Sequence, residues 1–262
     1  MLTLYLIIGA FAGISSGLFG IGGGVVVIPA LSKMFLHNTD IPASHTMQMA
    51  VGTSLAIMIF TALSALHAHH KRQAVRWGLV REMLPGLIAG AVAGALIAHF
   101  LPSTVLQMIF GVFLVFVSVQ LIRNKKTASH EKKLSKQIIR LSSFAIGMLS
   151  SLLGVGGGTL LVPFLLRCEL DMREATGTSV ACGLSVGIVA TISFMVTGLY
   201  SMTPVPWSTG YIYWPAFAGV VVVSVLLAPL GAVLAHRLPK ELLKKGFGWF
   251  LLAMACDMLF FK

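Results

Sequence analysis

The stretch LFGIGGGVVVIPAL, residues 18 to 31, places four glycines within five positions and follows them with an apolar run and Pro29. The same pattern recurs as LLGVGGGTLLVPFL at residues 152 to 165. Glycine weakens a helix and allows another group to approach the backbone closely. Because the pattern interrupts two long apolar segments, 4 to 32 and 141 to 166, we expect both to be broken for the same structural reason.

The composition is that of a membrane protein. Of the 262 residues, 57% are hydrophobic and only 10% are charged, and the mean hydropathy is +0.92. A soluble domain carries about 25% charged residues. Besides the two glycine-broken segments, apolar stretches near the ~20 residues that cross a bilayer predict six spans, at 47–67, 79–100, 104–122, 175–199, 211–235 and 243–261.

Sequence repetition divides the chain into two halves. AVGTSLA at 50–56 recurs as ATGTSVA at 175–181, and HFLP at 99–102 recurs as HRLP at 236–239. Each half therefore has a glycine-broken segment followed by three spans, an order typical of duplicated transporters. The predicted domains are an N-terminal repeat (1–122), a basic cytoplasmic linker (123–140) and a C-terminal inverted repeat (141–262).

The net charge of +11 reflects 19 Lys and Arg residues, and these lie mostly in the connections between spans. We interpret them as topology signals, since cytoplasmic loops carry excess positive charge, and we do not expect nucleic acid as a partner. If each glycine-broken segment is a re-entrant hairpin, seventeen of these residues lie on one side of the membrane. If each segment crosses once, only twelve do, so the counts favour hairpins and inverted halves.

The glycine clusters predict an anion site without basic side chains. Backbone amides at the start of a half-helix lack intrahelical acceptors and lie at the positive end of the helix dipole, which attracts anions. The repeated Thr-Ser pairs could add hydroxyl donors. The predicted substrate-binding residues are Gly22, Gly23, Gly24, Val25, Thr53 and Ser54 in the first half and Gly156, Gly157, Gly158, Thr159, Thr178 and Ser179 in the second.

Helix packing is the competing explanation for the glycines. Gly9, Gly13 and Gly17, and again Gly86, Gly90 and Gly94, recur every four residues, as small residues do where membrane helices touch. We assign those six to packing and the consecutive glycines to the site. For the Thr-Ser pairs, hydroxyl bonds to carbonyls of their own helix are an equally good interpretation.

Few other groups suggest chemistry. Asp257 near the C-terminus could carry a coupling proton, but an interfacial position is the favoured explanation, since its counterpart in the repeat is Gln120. The cysteines Cys168, Cys182 and Cys256 have no metal-binding spacing, so we expect buried thiols outside disulfides, no metal and no cofactor. No nucleophile and base pair up within the spans, so an enzyme is not expected.

Two GxGGG-apolar-Pro segments, each followed by a span containing GTS, closely resemble the TauE/SafE family of membrane permeases over nearly the whole chain. That resemblance implies transport of small sulfur-containing anions such as sulfite or organosulfonates across the bacterial inner membrane. It also implies that the substrate site includes Gly22 to Gly24, Gly156 to Gly158 and the Thr-Ser pairs.

The expected fold is an all-α polytopic membrane protein, and the expected function is secondary transport, with export favoured by an inside-negative potential. The expected partners are a small anion, membrane lipid and a proton as candidate coupling ion, and the pattern is also compatible with a homo-oligomer. A passive anion channel, an uptake permease for another organic anion and an assembly factor remain alternatives.

Overall fold

The computed structural model describes residues 2–19, 23–123, 135–156, 158–168, 170–201, 205–237 and 240–260. Within that part of the chain the architecture is helical, with a two-stranded hairpin. The helices are α1 (Leu2–Phe19), α2 (Gly24–Leu36), α3 (Thr46–Lys71), α4 (Trp77–Phe100), α5 (Ser103–Arg123), α6 (Lys136–Leu153), α7 (Gly158–Arg167), α8 (Met172–Ser201), α9 (Trp214–Arg237) and α10 (Lys240–Phe260), and the strands are β1 (Ser208–Thr209) and β2 (Ile212–Tyr213).

The hydrophobicity and length of several helices suit a bilayer. Among the residues whose side chains are described, α3, α4, α5 and α8 are long and apolar enough to span a membrane, and shorter apolar helices include α2 and α7. The expectation of an all-α multi-pass membrane protein is confirmed at this level. The predicted spans 211–235 and 243–261 correspond to α9 and α10, of which some side chains lie outside the described set.

Several helix boundaries differ from the predictions by a few residues, and two of the differences have a local cause. Helix α6 begins at Lys136, inside the predicted linker, because the hydroxyl of Ser135 accepts a hydrogen bond from the Ile138 amide and caps the helix. The span predicted from 211 begins only at Trp214. The residues before it form the short hairpin, whose turn is made possible by Gly210 at φ +57°.

Glycine stripes hold two pairs of helices together. A Cβ on Gly9 would lie 2.8 Å from the Val220 carbonyl oxygen, and one on Gly13 would lie 2.6 Å from that of Ser224, so α1 runs parallel to α9. Gly86, Gly90 and Gly94 meet the α6 backbone in the same way. The packing prediction is therefore confirmed for these five glycines, whereas the surroundings of Gly17 are not described.

Corresponding helices of the two halves cross one another in opposite directions. In α3 and α8, Gly52 lies against Phe194 and Gly187 against Met58, so the start of each helix meets the later part of the other. Helices α5 and α10 do the same, because Gly111 contacts Leu259 and Gly248 contacts Ile122.

Both ends of the α1–α2 segment lie near the start of α9. Helix α1 runs parallel to α9, with Gly9 against Val220 and Gly13 against Ser224, so its first residues point toward the start of α9. The ring of Phe35, at the end of α2, packs edge-on against Tyr213 at 5.5 Å. Between them Gly23 returns to α1, where its Cβ would lie 3.3 Å from that of Ala12. The chain therefore turns back on itself near the first glycine cluster.

The cysteines are only partly as expected. No disulfide joins them, and Cys182 is buried. Cys168 is half-buried and Cys256 is exposed, so the expectation of burial is wrong for these two. Cys256 lies on the exposed face of α10.

Candidate functional site

A narrow pocket opens beside the first glycine cluster. Described residues from four helices line it: Ala12 of α1, Gly23, Gly24 and Val27 at α2, Ser54, Ile57, Met58 and Thr61 of α3, and Ser224 of α9. Three of the predicted site residues, Gly23, Gly24 and Ser54, therefore come together. None of these lining residues is charged, so the polar groups available there are backbone amides, carbonyls and hydroxyls.

The start of α2 supplies the amides. Val26 and Val27 are the first residues whose N–H groups donate to a helical carbonyl, that of Gly23, at 3.0 Å each. The amides of Gly24 and Val25 precede these bonds and have no acceptor within the helix. They lie at the positive end of a 13-residue helix, where the dipole favours negative charge. Val25 itself is fully buried.

The two glycine clusters meet at this point. A Cβ added to Gly24 would lie only 2.6 Å from the carbonyl oxygen of Gly154 and 3.0 Å from the Ser54 hydroxyl oxygen. Gly154 ends α6 in the left-handed conformation, at φ +60°, which only glycine adopts without strain. Glycine is thus required at positions 24 and 154, where the two halves come into backbone contact.

Ser54 bridges the halves. Its hydroxyl donates to the Gly154 carbonyl at 3.1 Å, and the side chain is almost completely buried. The corresponding Ser179 donates to Thr176 within its own helix, at 2.8 Å. The contact equivalent to Ser54–Gly154 would involve Gly20, which lies outside the described residues.

Thr53 and Thr178 face away from the pocket lining and toward loops of the opposite half. The Thr53 hydroxyl accepts a hydrogen bond of 3.1 Å from the Tyr213 amide, and the Thr178 hydroxyl accepts one of 3.1 Å from the Arg76 amide. Each threonine is fully buried. Because these bonds use lone pairs of the hydroxyl oxygens, the protons keep a donor function, and the predicted oxyanion contact stays a prediction.

The glycines that precede these threonines admit the same loops. A Cβ on Gly52 would lie 2.8 Å from the Tyr211 carbonyl oxygen, and one on Gly177 would overlap that of Ala74. The repeated Gly-Thr sequence therefore has a structural account: glycine leaves space for a backbone carbonyl, and threonine bonds the amide two residues further along that loop.

The second cluster is described in part. Gly156 is buried and accepts a hydrogen bond of 3.2 Å from the Thr159 hydroxyl, and Gly158 begins α7. The predicted residues Gly22 and Gly157 lie outside the described residues. Near this tip the hydroxyls of Ser150 and Ser151 are buried and have no hydrogen-bond partner among the described residues.

Acidic groups form ion pairs away from the pocket. Asp257, the candidate coupling residue, pairs with Lys33 of α2, and Glu174 pairs with Arg76 at 2.9 Å. Glu82, which the sequence predictions did not include, lies in the second turn of α4 and has one carboxylate oxygen buried without a partner among the described residues. An acidic residue inside the predicted span 79–100 was the available signal. No cluster of possible metal ligands occurs within the described ranges.

Comparisons with known proteins agree with the resemblance. The family described as "Sulfite exporter TauE/SafE" matches residues 5–258. A "Probable membrane transporter protein" of Haemophilus influenzae is 35% identical over 258 residues, which cover 98% of this chain and 97% of the relative. YunE of Bacillus subtilis, also described as a probable membrane transporter protein, is 30% identical over 78% of this chain and 83% of its own. A further such protein, from Methanocaldococcus jannaschii, is 29% identical over 88% of this chain and 82% of its own. No solved structure matches.

Proposed function

This chain belongs to the TauE/SafE family, and on that premise we propose that it is a secondary transporter of small sulfur-containing anions such as sulfite or organosulfonates. Its relatives are probable membrane transporter proteins, and its helices suit a multi-pass membrane protein. The observation that carries the proposal is the pocket lined by the start of α2 and by Ser54, whose hydroxyl also binds the end of α6.

The polar groups around this narrow pocket suit an anion. It offers amides at a helix N-terminus, where partial positive charge is fixed without a buried Lys or Arg. A site of this kind binds a small oxyanion through several directed donors and avoids the strong attraction of a full opposite charge. An anion held in this way can leave again, which transport requires.

We propose that transport occurs by alternating access between two inverted halves. The antiparallel crossing of α3 with α8 and of α5 with α10 supports an inverted relationship, since these are corresponding helices. In the repeat, α1 corresponds to α6 and α4 corresponds to α9. The packing of α1 against α9 is therefore equivalent to the packing of α6 against α4. The turn of the α1–α2 segment near Gly23 supports a re-entrant hairpin whose tip reaches the middle of the membrane. On this interpretation the predicted repeats at 1–122 and 141–262 rock around the central pocket.

The site would include the predicted residues of both halves. In the first half these are Gly22 to Gly24, Val25 and Ser54, and in the second Gly156 to Gly158, Thr159 and Ser179. Thr53 and Thr178 join the site if their hydroxyl protons turn toward the anion. A proton is the proposed coupling ion, with Glu82 and Asp257 as the carboxylates that could carry it.

Charge distribution supports an orientation and a direction. With hairpins, the connections at 71–81, 123–140, 167–173 and 237–245 face the cytoplasm and carry most of the Lys and Arg residues. An inside-negative potential drives anions outward, so export across the bacterial inner membrane is the favoured direction. An uptake permease for another small organic anion is the alternative within the same class.

The deciding experiment measures flux of labelled sulfite, sulfate and a small sulfonate in proteoliposomes. Gly24→Leu and Gly158→Leu should abolish saturable flux in protein that still folds, whereas Gly78→Ala should not, since nothing lies within 4 Å of a Cβ on Gly78. Absence of flux for every anion, under imposed potential or pH gradients, would refute the transporter proposal. Flux without saturation or counter-transport would instead indicate a passive channel.

A further inference from the structure

The two contacts made by the Gly-Thr pairs are equivalent in the repeat. Tyr213 immediately precedes α9 and Arg76 immediately precedes α4, and both helices begin with tryptophan and contain 24 residues. In each case a threonine of one half binds the amide that precedes a helix of the other half. The structure thus makes the same connection between halves twice.

The two connections lie toward opposite ends of the α3–α8 pair. Thr53 and Thr178 occur about two turns after the first residues of α3 and α8, and these helices run antiparallel. The loop at 211–213 therefore closes one end of the α3–α8 pair, and the loop at 74–76 closes the other.

We propose that these connections are two latches and that the transport cycle releases one of them at a time. The first latch consists of Gly52 and Thr53 with residues 211–213, and the second of Gly177 and Thr178 with residues 74–76. This inference rests on the proposed alternating-access function. Release of the first latch opens the pocket at one end, and release of the second opens it at the other.

The first latch is mechanically connected to the pocket. Thr53 binds the loop, while Ser54, the next residue of α3, lines the pocket and binds Gly154. Successive residues of an α-helix are turned by about 100°, so one turn of α3 contacts both elements. Ser224 of α9, the helix that follows the latch loop, also lines the pocket. Movement of this loop therefore changes access to the anion.

Different forces reinforce the two latches. At the first, the Tyr211 hydroxyl and His99 Nδ1 are hydrogen-bonded at 3.1 Å. At the second, Arg76 pairs with Glu174 at 2.9 Å, and Arg173 donates to the Arg72 carbonyl at 2.7 Å. Salt screens partly exposed charges, so high ionic strength should weaken the second latch selectively.

The test places one thiol in the pocket and measures its access from each side of the membrane. Ser224→Cys is introduced after the three native cysteines are replaced, and a membrane-impermeant maleimide is added to sealed vesicles of known orientation. Loss of a hydrogen bond shifts a two-state equilibrium by about five-fold. Thr53→Val should therefore increase labelling by about five-fold from the face that carries residues 211–213, and Thr178→Val from the opposite face.

Matched controls separate the latches from general loosening. Thr46 and Thr176 lie in the same two helices and bond carbonyls close to themselves in sequence, so Thr46→Val and Thr176→Val should not alter labelling from either side. Thr53→Ser and Thr178→Ser keep the hydroxyl and should restore the original rates. If a valine variant does not fold, salt provides the second measurement: 1 M salt should raise labelling only from the face that carries residues 74–76.

Two results would overturn the two-latch inference. One is increased labelling of both valine variants from the same side; the other is unchanged labelling both in folded valine variants and at 1 M salt. The measurement requires no substrate and is therefore independent of flux. Opposite responses in a protein that moves no anion would refute the proposed function and leave the two latches in place. Anion flux without side-specific responses would refute the two-latch inference and leave the proposed function in place.

Discussion

The hydroxyl of Ser54 donates a hydrogen bond to the carbonyl oxygen of Gly154 at 3.1 Å, across 100 positions of sequence. Gly24 occupies the remaining space beside this carbonyl. One buried contact thus joins the first half of α3, the end of α6 and the start of α2. It connects the central pocket to the interface between the two halves.

Ser54→Ala should weaken both the interface and transport more than Ser179→Ala. The first change leaves the Gly154 carbonyl without its donor, which costs about 1–3 kcal/mol, whereas Ser179 bonds only within its own helix. Thermal unfolding in detergent and initial anion flux would measure the two effects. Equal losses in the two variants would contradict a special role for Ser54.

Gly24→Ala should destabilise the protein and reduce flux. The added Cβ would lie 2.6 Å from the Gly154 carbonyl oxygen, and overpacking of this kind costs about 1–3 kcal/mol. Gly246→Ala is the matched control, because no atom lies within 4 Å of a Cβ there. A Gly24→Ala variant with unchanged melting temperature and flux would show that neither stability nor transport depends on the close contact between Gly24 and the Gly154 carbonyl.

Gly90→Ala should impair stability without any direct effect on the anion site. A Cβ on Gly90 would overlap the Phe144 carbonyl oxygen, so α4 and α6 must separate by the width of the added group. We expect a loss of about 1–3 kcal/mol and, in the folded fraction, an unchanged Michaelis constant for flux. A raised Michaelis constant with normal stability would move Gly90 from packing to substrate binding.

Side-specific labelling of two single cysteines tests the hairpins. Met172 and Pro206 are both exposed. With re-entrant hairpins, Met172→Cys should react from the cytoplasmic side and Pro206→Cys from the outside, whereas segments that cross once predict the reverse. Labelling of intact cells with and without permeabilisation distinguishes the two arrangements. Labelling of Met172→Cys from outside and of Pro206→Cys from the cytoplasm would contradict the inverted repeat.

Glu82→Gln tests proton coupling. The substitution removes the titratable group but keeps the shape of the side chain, and one oxygen of Glu82 is buried without a partner among the described residues. Anion flux should lose its dependence on an imposed pH gradient while flux driven by an anion gradient continues. Asp257→Asn is the comparison, since Asp257 already has Lys33 as its partner, and a pH response lost only in that variant would move the coupling role there.

Much of the helical organisation could be predicted because it depends on local properties. Apolar length gave the spans α3, α4, α5 and α8 to within about four residues, and the four-residue spacing of glycines predicted the packing of α1 and α4. The helix start at Lys136 and the hairpin before α9 were missed, since a single capping serine in a polar linker and a single glycine turn are weak signals.

The candidate site was predictable only in part. The sequence indicated the glycine tips and the Thr-Ser pairs, and the structure brings Gly23, Gly24 and Ser54 to one pocket. The different surroundings of Thr53 and Ser54 had no sequence signal, because the partners of both belong to the other half of the chain.

The sequence by itself determined a membrane protein with two repeated halves, each interrupted by glycines, because hydrophobic length and residue spacing act through a few neighbouring positions. Only the tertiary structure decided that Ser54 faces Gly154 while Thr53 faces Tyr213. A difference of one position turns a helical side chain by about 100°. What it then contacts depends on how the two halves pack together.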